Sequence, residues 1–216
     1  MPNLPHIGVL VSGRGSNLAA LIAAIARGEV AARIALVISS KAAVPALEIA
    51  AAANIPTLLV APRDYPTRQA EGAAIVAAMQ AAGVELLILA GYARIFDPCV
   101  VAAFRDRIIN IHPALLPAFP GLAPNPQREA LEAGVKFSGC TTHFVTEATD
   151  AGPIIDQAVV PVMDDDTVET LAERILHQEH RLLPQSVAAV LAGEVQIVGQ
   201  RTCRHPAKAG EPRARD

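Results

Sequence analysis

The chain predicts an α/β protein built on a Rossmann-like, doubly wound, mostly parallel sheet with an antiparallel C-terminal extension. Three observations point there. Short β-branched apolar runs alternate with longer alanine-rich stretches of helical period through the first half. A glycine-rich turn, "SGRGSN", follows the first run directly and opens the first helical stretch. Beyond the fifth run a proline-rich segment breaks the alternation, and two further strand-like segments lie past it.

Strands are predicted at "IGVLV" (7–11), "IALVI" (34–38), "TLLV" (57–60), "LLILA" (86–90) and "RIINI" (107–111), with helices near 17–27, 44–53, 67–82 and 98–104. "PALLPAFPGLAPNPQ" holds five prolines in fifteen residues, too many for a helix or a central strand, so it is predicted as a loop. A short helix near 127–133 comes next, then strands at "CTTHFVT" (140–146) and "IIDQAVVPV" (154–162). The last long helix starts at "DDDTVETL", where Asp166 and Glu169 have capping-box spacing, and runs to about Leu191. From Arg201 the chain is polar with no apolar period, which predicts a disordered tail over 201–216 after one domain spanning 1–200. There is no internal repeat.

A length of 216 residues and a hydrophobic fraction of 52% suit one well-buried α/β domain. The net charge of -3 argues against a protein that binds by neutralising nucleic-acid phosphates. Cys99, Cys140 and Cys203 are odd in number and far apart, the pattern of reduced thiols, so a cytoplasmic location is expected. The N-terminal segment lacks the basic start of a signal peptide, and no apolar run approaches the ~20 residues of a membrane span. Neither membrane nor nucleic acid is an expected partner; a homodimer is left open.

"SGRGSN" admits two readings. Glycines let the backbone approach a bound group, and the free N–H groups of a helix start favour an anion, which would put a phosphate on Gly15, Ser16 and Asn17. Alternatively the glycines make a tight turn and Ser16 or Asn17 caps the helix. Position 18 is Leu and no Gly-Lys-Ser/Thr follows, so neither a dinucleotide fingerprint nor a Walker sequence is present, and a phosphate monoester fits better.

"NIHP" lies at the carboxyl end of the fifth strand, where open parallel sheets gather ligands, and so shares a crevice with "SGRGSN". An amide and a histidine, Asn110 and His112, suit an oxyanion formed in acyl transfer, because both aim hydrogen bonds at the charged oxygen. An imidazolium does this best, and Asp150 in "TEATDAGP" is the carboxylate available to hold it charged or to take a proton from an attacking amine. On spacing alone, a satisfied structural histidine and an aspartate bonded to its own turn remain the other reading. For metals, Cys140 and His143 fall on opposite faces of a strand, and His177 with His180 lacks a third ligand, so no metal site is predicted.

The succession "SGRGSNL", "LAGYARI", "RIINIHPALLPAFPG", "GCTTHFVTEATDAGPIIDQ" and "QEHRLLP" resembles the phosphoribosylglycinamide formyltransferases over residues 6–198. The resemblance implies metal-independent transfer of a formyl group from 10-formyltetrahydrofolate to the amino group of glycinamide ribonucleotide, in purine synthesis. It implies Asn110, His112 and Asp150 as catalytic groups, and Gly15, Ser16 and Asn17 as the phosphate loop. It makes Glu179 the ribose contact. Independently, Glu179 lies on the apolar stripe Leu171, Ile175, Leu182 and Leu183, where a charge is costly unless paired. For the folate it implies Tyr92, Arg94, Ile95 and Phe96 around the pterin and Arg68 nearby; core packing is the other reading of Ile95 and Phe96. After the proline-rich loop the family usually reads "PGLHAQRQAL", whereas this chain has "PGLAPNPQREAL", without the histidine and two residues longer.

Three alternatives use related residues. Formyltetrahydrofolate hydrolase would pass the formyl group to water, with an N-terminal regulatory domain expected and no need of a phosphate-gripping loop. Methionyl-tRNA formyltransferase would bring a further C-terminal domain and a basic surface for tRNA. A non-catalytic ligand-binding module would have no use for Asn110, His112 and Asp150 together.

Overall fold

The structure is a computed structural model and describes residues 4–121 and 125–205. Seven strands form one sheet in the order β3-β2-β1-β4-β5-β6-β7. Strands β1 (His6–Val11), β2 (Arg33–Ser39), β3 (Thr57–Leu59), β4 (Leu86–Leu89) and β5 (Ile108–His112) are parallel. Strands β6 (Phe137–Phe144) and β7 (Ile154–Pro161) continue the sheet antiparallel. The predicted class, mostly parallel with an antiparallel extension, is the observed one.

Among the described residues six α-helices cover the sheet: α1 (Ser16–Ala26), α2 (Pro45–Ala52), α3 (Arg68–Ala81), α4 (Pro98–Ala103), α5 (Pro126–Glu132) and α6 (Val168–Leu191). Strand residues alternate between the two faces, so the core divides in two. Val9, Leu18, Leu21, Ala46, Ile109, Ile175 and Leu183 pack on the side of α1, α2 and α6. Leu10, Ile38, Ile75, Met79, Leu87, Val100 and Phe104 pack on the side of α3 and α4. Each large apolar side chain buried this way contributes about 1.5–3 kcal/mol. Strand order reverses between β1 and β4, and a crevice opens at their carboxyl ends.

Three local features differ from the sequence reading. The capping box of α6 is Thr167 with Thr170, each side-chain oxygen accepting the other's backbone N–H, rather than Asp166 with Glu169. Asp166 instead accepts Arg174 at 2.7 and 2.8 Å and the Met163 N–H at 2.7 Å, a stronger use of a carboxylate. Strand β5 runs through His112, one residue further than predicted. Finally, Arg201–Arg204 form β9, paired antiparallel with β8 (Val195–Val198) through a turn at Gly199, where a disordered tail was predicted. A two-stranded hairpin satisfies its backbone without an apolar face, so hydrophobic period does not reveal it. Thr202 Oγ1 donates to the Ile154 carbonyl at 2.7 Å and Arg204 pairs with Asp156 at 2.8 Å, attaching the hairpin to β7. The rest of the predicted tail, 206–216, lies outside the described residues. Among the described residues no helix is long and apolar enough to cross a membrane.

Candidate active site

Strand register assembles the central cluster. Asn110 on β5 stands opposite His143 on β6, and its Nδ2 donates to His143 Nε2 at 3.1 Å. His112, two residues on, points to the same face and is 4% exposed. The loop after β6 returns Asp150 to both. Its Oδ2 lies 3.4 Å from His112 Nδ1, and its Oδ1 lies 3.4 Å from His143 Nε2 and 3.4 Å from Asn110 Nδ2. Asp150 has φ of +50°, a left-handed conformation that Asp tolerates better than most residues. The Gly121 N–H donates to Asp150 Oδ2 at 2.7 Å, tying the proline-rich loop to the cluster.

These contacts assign protons. The Phe119 carbonyl accepts only, so His112 Nε2, 2.8 Å away, carries a hydrogen. His143 Nδ1 likewise donates to the Phe144 carbonyl at 2.9 Å, which leaves the Nε2 of the neutral ring to accept from Asn110. Burial pushes His112 below the usual histidine range, while Asp150 and the Phe119 carbonyl oppose that shift. Burial alone would raise Asp150, but the Gly121 N–H and the neighbouring His112 imidazole outweigh it, holding the carboxyl below its usual range. Asp150 is thus a carboxylate, whereas His112 in the free protein leans toward the neutral form. The sequence reading had Asp150 holding His112 charged and had no carbonyl already on its Nε2.

A cavity of about 250 Å³ opens over this cluster, lined by Asn110, His112 and Asp150, by Tyr92, Arg94, Ile95 and Phe96 after β4, and by Val145–Asp150 after β6. Ile95 is 52% exposed, so it is not core packing, whereas Tyr92 is buried and packs on Phe96 with ring centroids 5.2 Å apart. The Arg94 guanidinium makes a two-pronged ion pair with Glu71, at 3.0 and 2.9 Å. Arg68 does not line this cavity; it borders a much smaller adjoining space with Glu71, Tyr92 and Phe96.

A second cavity, about 280 Å³, holds Gly15, Ser16, Asn17 and Glu179 together with Gln127. Gly15 is the N-cap of α1 at φ +78°, with no side chain capping the helix, so Ser16 and Asn17 are not caps. A Cβ on Gly15 would fall 2.6 Å from Ala46 Cα, which shows why this position is glycine. Asn17 Nδ2 donates to Glu179 Oε2 at 2.7 Å, while Asn17 Oδ1 is buried without a partner among the described residues. Burial raises the Glu179 pKa, opposed by Asn17 and by the charge of Arg14. The two cavities share Gly91, Ile111 and Pro113, and the last two flank His112.

Two participants escaped the sequence reading. His143 was weighed only as a metal ligand; its pairing with Asn110 depends on β5–β6 register, which no local pattern reveals. Cys140 is on the other face of β6 in the core, and among the described residues no group of three or more His, Cys, Asp or Glu side chains could hold a metal ion. Ser12 Oγ bonds Ser40 Oγ at 2.7 Å and accepts the Ala93 N–H at 3.0 Å, joining β1, β2 and the loop after β4. The substituted segment after the proline-rich loop lies partly outside the described residues, at 122–124; past it, Asn125 caps α5 and Gln127 enters the second cavity.

The formyl transferase family profile matches residues 6–187. A phosphoribosylglycinamide formyltransferase of Mycobacterium tuberculosis is 44% identical over 200 residues, covering 92% of this chain and 91% of that protein. The trifunctional purine biosynthetic protein adenosine-3 of Drosophila pseudoobscura pseudoobscura is 46% identical over 198 residues; they make up 90% of this chain and 14% of that longer protein. Among solved structures, glycinamide ribonucleotide transformylase 1 from Symbiobacterium toebii superposes with a TM-score of 0.91 at 47% identity, covering 94% of this chain and 95% of that one. A formyltetrahydrofolate deformylase from Pseudomonas syringae superposes with a TM-score of 0.87 at 28% identity, covering 95% of this chain and 67% of that one.

Proposed function

The chain belongs to the formyl transferase family, and on that premise we propose that it transfers the formyl group of 10-formyltetrahydrofolate to the amino group of glycinamide ribonucleotide, a step of purine biosynthesis. One observation carries the reading: His112 lies between Ile111 and Pro113, which border both cavities, so a group bound in each would meet beside it.

The first cavity suits the folate. Leu89, Ile95, Phe96, Val101 and Val145 offer an apolar wall to a flat ring, and the polar segment 146–150 offers hydrogen bonds to its edge. The second suits the ribonucleotide. The uncapped start of α1 at Gly15, Ser16 and Asn17 attracts the phosphate, and Glu179, raised toward its neutral form and held by Asn17, meets the ribose hydroxyls.

In the reaction the amine nitrogen attacks the formyl carbon, and the carbonyl electron pair moves onto oxygen. That oxyanion takes the place of the Phe119 carbonyl at the His112 Nε2–H and receives a second hydrogen from the Asn110 amide, whose long 3.4 Å contact to Asp150 is the weaker of its two. Negative charge there favours the imidazolium, offsetting the effect of burial, and Asp150 pairs with its Nδ1–H. Asp150 also receives the proton released by the attacking amine, directly or through water. Collapse restores the carbonyl and breaks the bond to N10 of the folate, and the proton held by Asp150 passes to that nitrogen, directly or through water, which regenerates the carboxylate.

The test is a spectrophotometric assay of the purified protein with 10-formyltetrahydrofolate, with and without glycinamide ribonucleotide. Ribonucleotide-dependent turnover is expected. Equal turnover without it means that water is the acceptor and overturns the proposal.

A further inference from the structure

We propose that Glu71 is a positioning residue that shapes the formyl-donor cavity by holding Arg94, and with it the loop carrying Tyr92, Ile95 and Phe96. The inference rests on the reading of that cavity as the folate site.

The loop between β4 and α4 forms one wall of the cavity but contains little structure of its own. At its start the Ser12 N–H donates to the Gly91 carbonyl at 3.1 Å and the Ala93 N–H to Ser12 Oγ at 3.0 Å. At its end Asp97 caps α4 through the Cys99 N–H at 3.0 Å. Between these, no backbone hydrogen bond holds Arg94, Ile95 or Phe96 among the described residues. Their polar anchor is the pair of bonds from the Arg94 guanidinium to the two Glu71 oxygens, at 3.0 and 2.9 Å.

That anchor is well built. The Glu71 side chain is 6% exposed, against 32% for Arg94, so the carboxylate is the desolvated partner and depends on the guanidinium to offset its burial. Glu71 stands in the first turn of α3, where the helix dipole favours a carboxylate. The two-pronged geometry constrains the guanidinium plane as well as its position. Helix α3 is itself pressed against the far end of the loop: a Cβ on Gly72 would fall 2.8 Å from Cys99 Sγ and 3.0 Å from Asp97 Cβ. A rigid helix therefore holds the loop at two successive residues, through charge at Glu71 and close contact at Gly72. The ion pair takes up the Nε and Nη2 donors of Arg94.

The experiment compares wild type, Glu71→Gln, Glu71→Met and the exchanged pair Glu71→Arg/Arg94→Glu. Tetrahydrofolate binding is measured by calorimetry, which needs no formyl transfer, alongside KM for both substrates, kcat and thermal unfolding. Both single variants should weaken tetrahydrofolate and raise KM for 10-formyltetrahydrofolate about tenfold. KM for the ribonucleotide and kcat should change less than twofold, and the exchanged pair should recover part of the loss. Unchanged folate binding in both single variants, or equal losses for the two substrates, overturns the positioning role. Wild-type protein that does not bind tetrahydrofolate overturns the cavity assignment, and the role with it.

Discussion

Asn110 and His143 face each other across the antiparallel β5–β6 pair, with the amide nitrogen 3.1 Å from His143 Nε2. Because His143 Nδ1 is committed to the Phe144 carbonyl, its Nε2 accepts and so dictates which end of the amide faces the cluster. His143→Ala should free the amide to rotate and lower kcat on the order of 10²-fold, with both KM values little changed. Steady-state kinetics check this; an unaltered kcat would show that Asn110 needs no such orientation.

Removing either proposed oxyanion donor, by Asn110→Ala or His112→Ala, should lower turnover by ~10² or more while substrate binding changes little. Asp150→Asn should be comparably damaging, since an amide can neither pair with an imidazolium nor accept the amine's proton. The double change at His112 and Asp150 should cost far less than the product of the single effects, because the two groups, 3.4 Å apart, act as one charge arrangement. Multiplicative losses would mean that they work separately.

Glu179→Ala should raise KM for the ribonucleotide by roughly tenfold or more and leave KM for the folate nearly unchanged. It would remove the proposed ribose contact and also release Asn17, whose amide Glu179 accepts at 2.7 Å. A better probe than Gly15 follows from the structure, since any side chain at Gly15 meets Ala46 and adopts a strained φ of +78°. Equal loss for both substrates after Glu179→Ala would make the residue a general support of the crevice.

Asp166→Asn should lower Tm on the order of 5 °C at neutral pH, because the carboxylate serves Arg174 and the Met163 N–H together. The Arg174 contact foremost, despite some burial, holds Asp166 far below the usual carboxylate range. Its folded pKa is depressed, so its stabilisation is complete above the unfolded value near ~3.9 and is lost as pH falls toward the folded one. The difference between wild type and variant should therefore shrink in acid; calorimetric scans at several pH values will show it.

The alternation of apolar runs with helical stretches made the parallel part of the sheet legible, because period and strand length are local properties of the chain. So were the crevice and two of its edges, since "SGRGSN" and "NIHP" each end a strand, and ligands collect at the carboxyl ends of parallel strands. The motifs of "QEHRLLP" and "TEATDAGP" pointed to Glu179 and Asp150 through a buried charge and a turn. Capping at α6 was misplaced by one residue, because Arg174 claims Asp166 from eight positions away and only the folded helix brings them together.

What tertiary structure alone decided is how distant groups use each other's bonding capacity. Asn110 meets His143 by strand register, Arg94 in the loop after β4 is claimed by Glu71 from helix α3, and Arg68 borders a small space beside the first cavity rather than its wall. His112 shows the physical reason. A sequence names an imidazole and a carboxylate, but its charge depends on burial, on Asp150 and on a carbonyl seven residues ahead, each set by the packing of the whole chain around it.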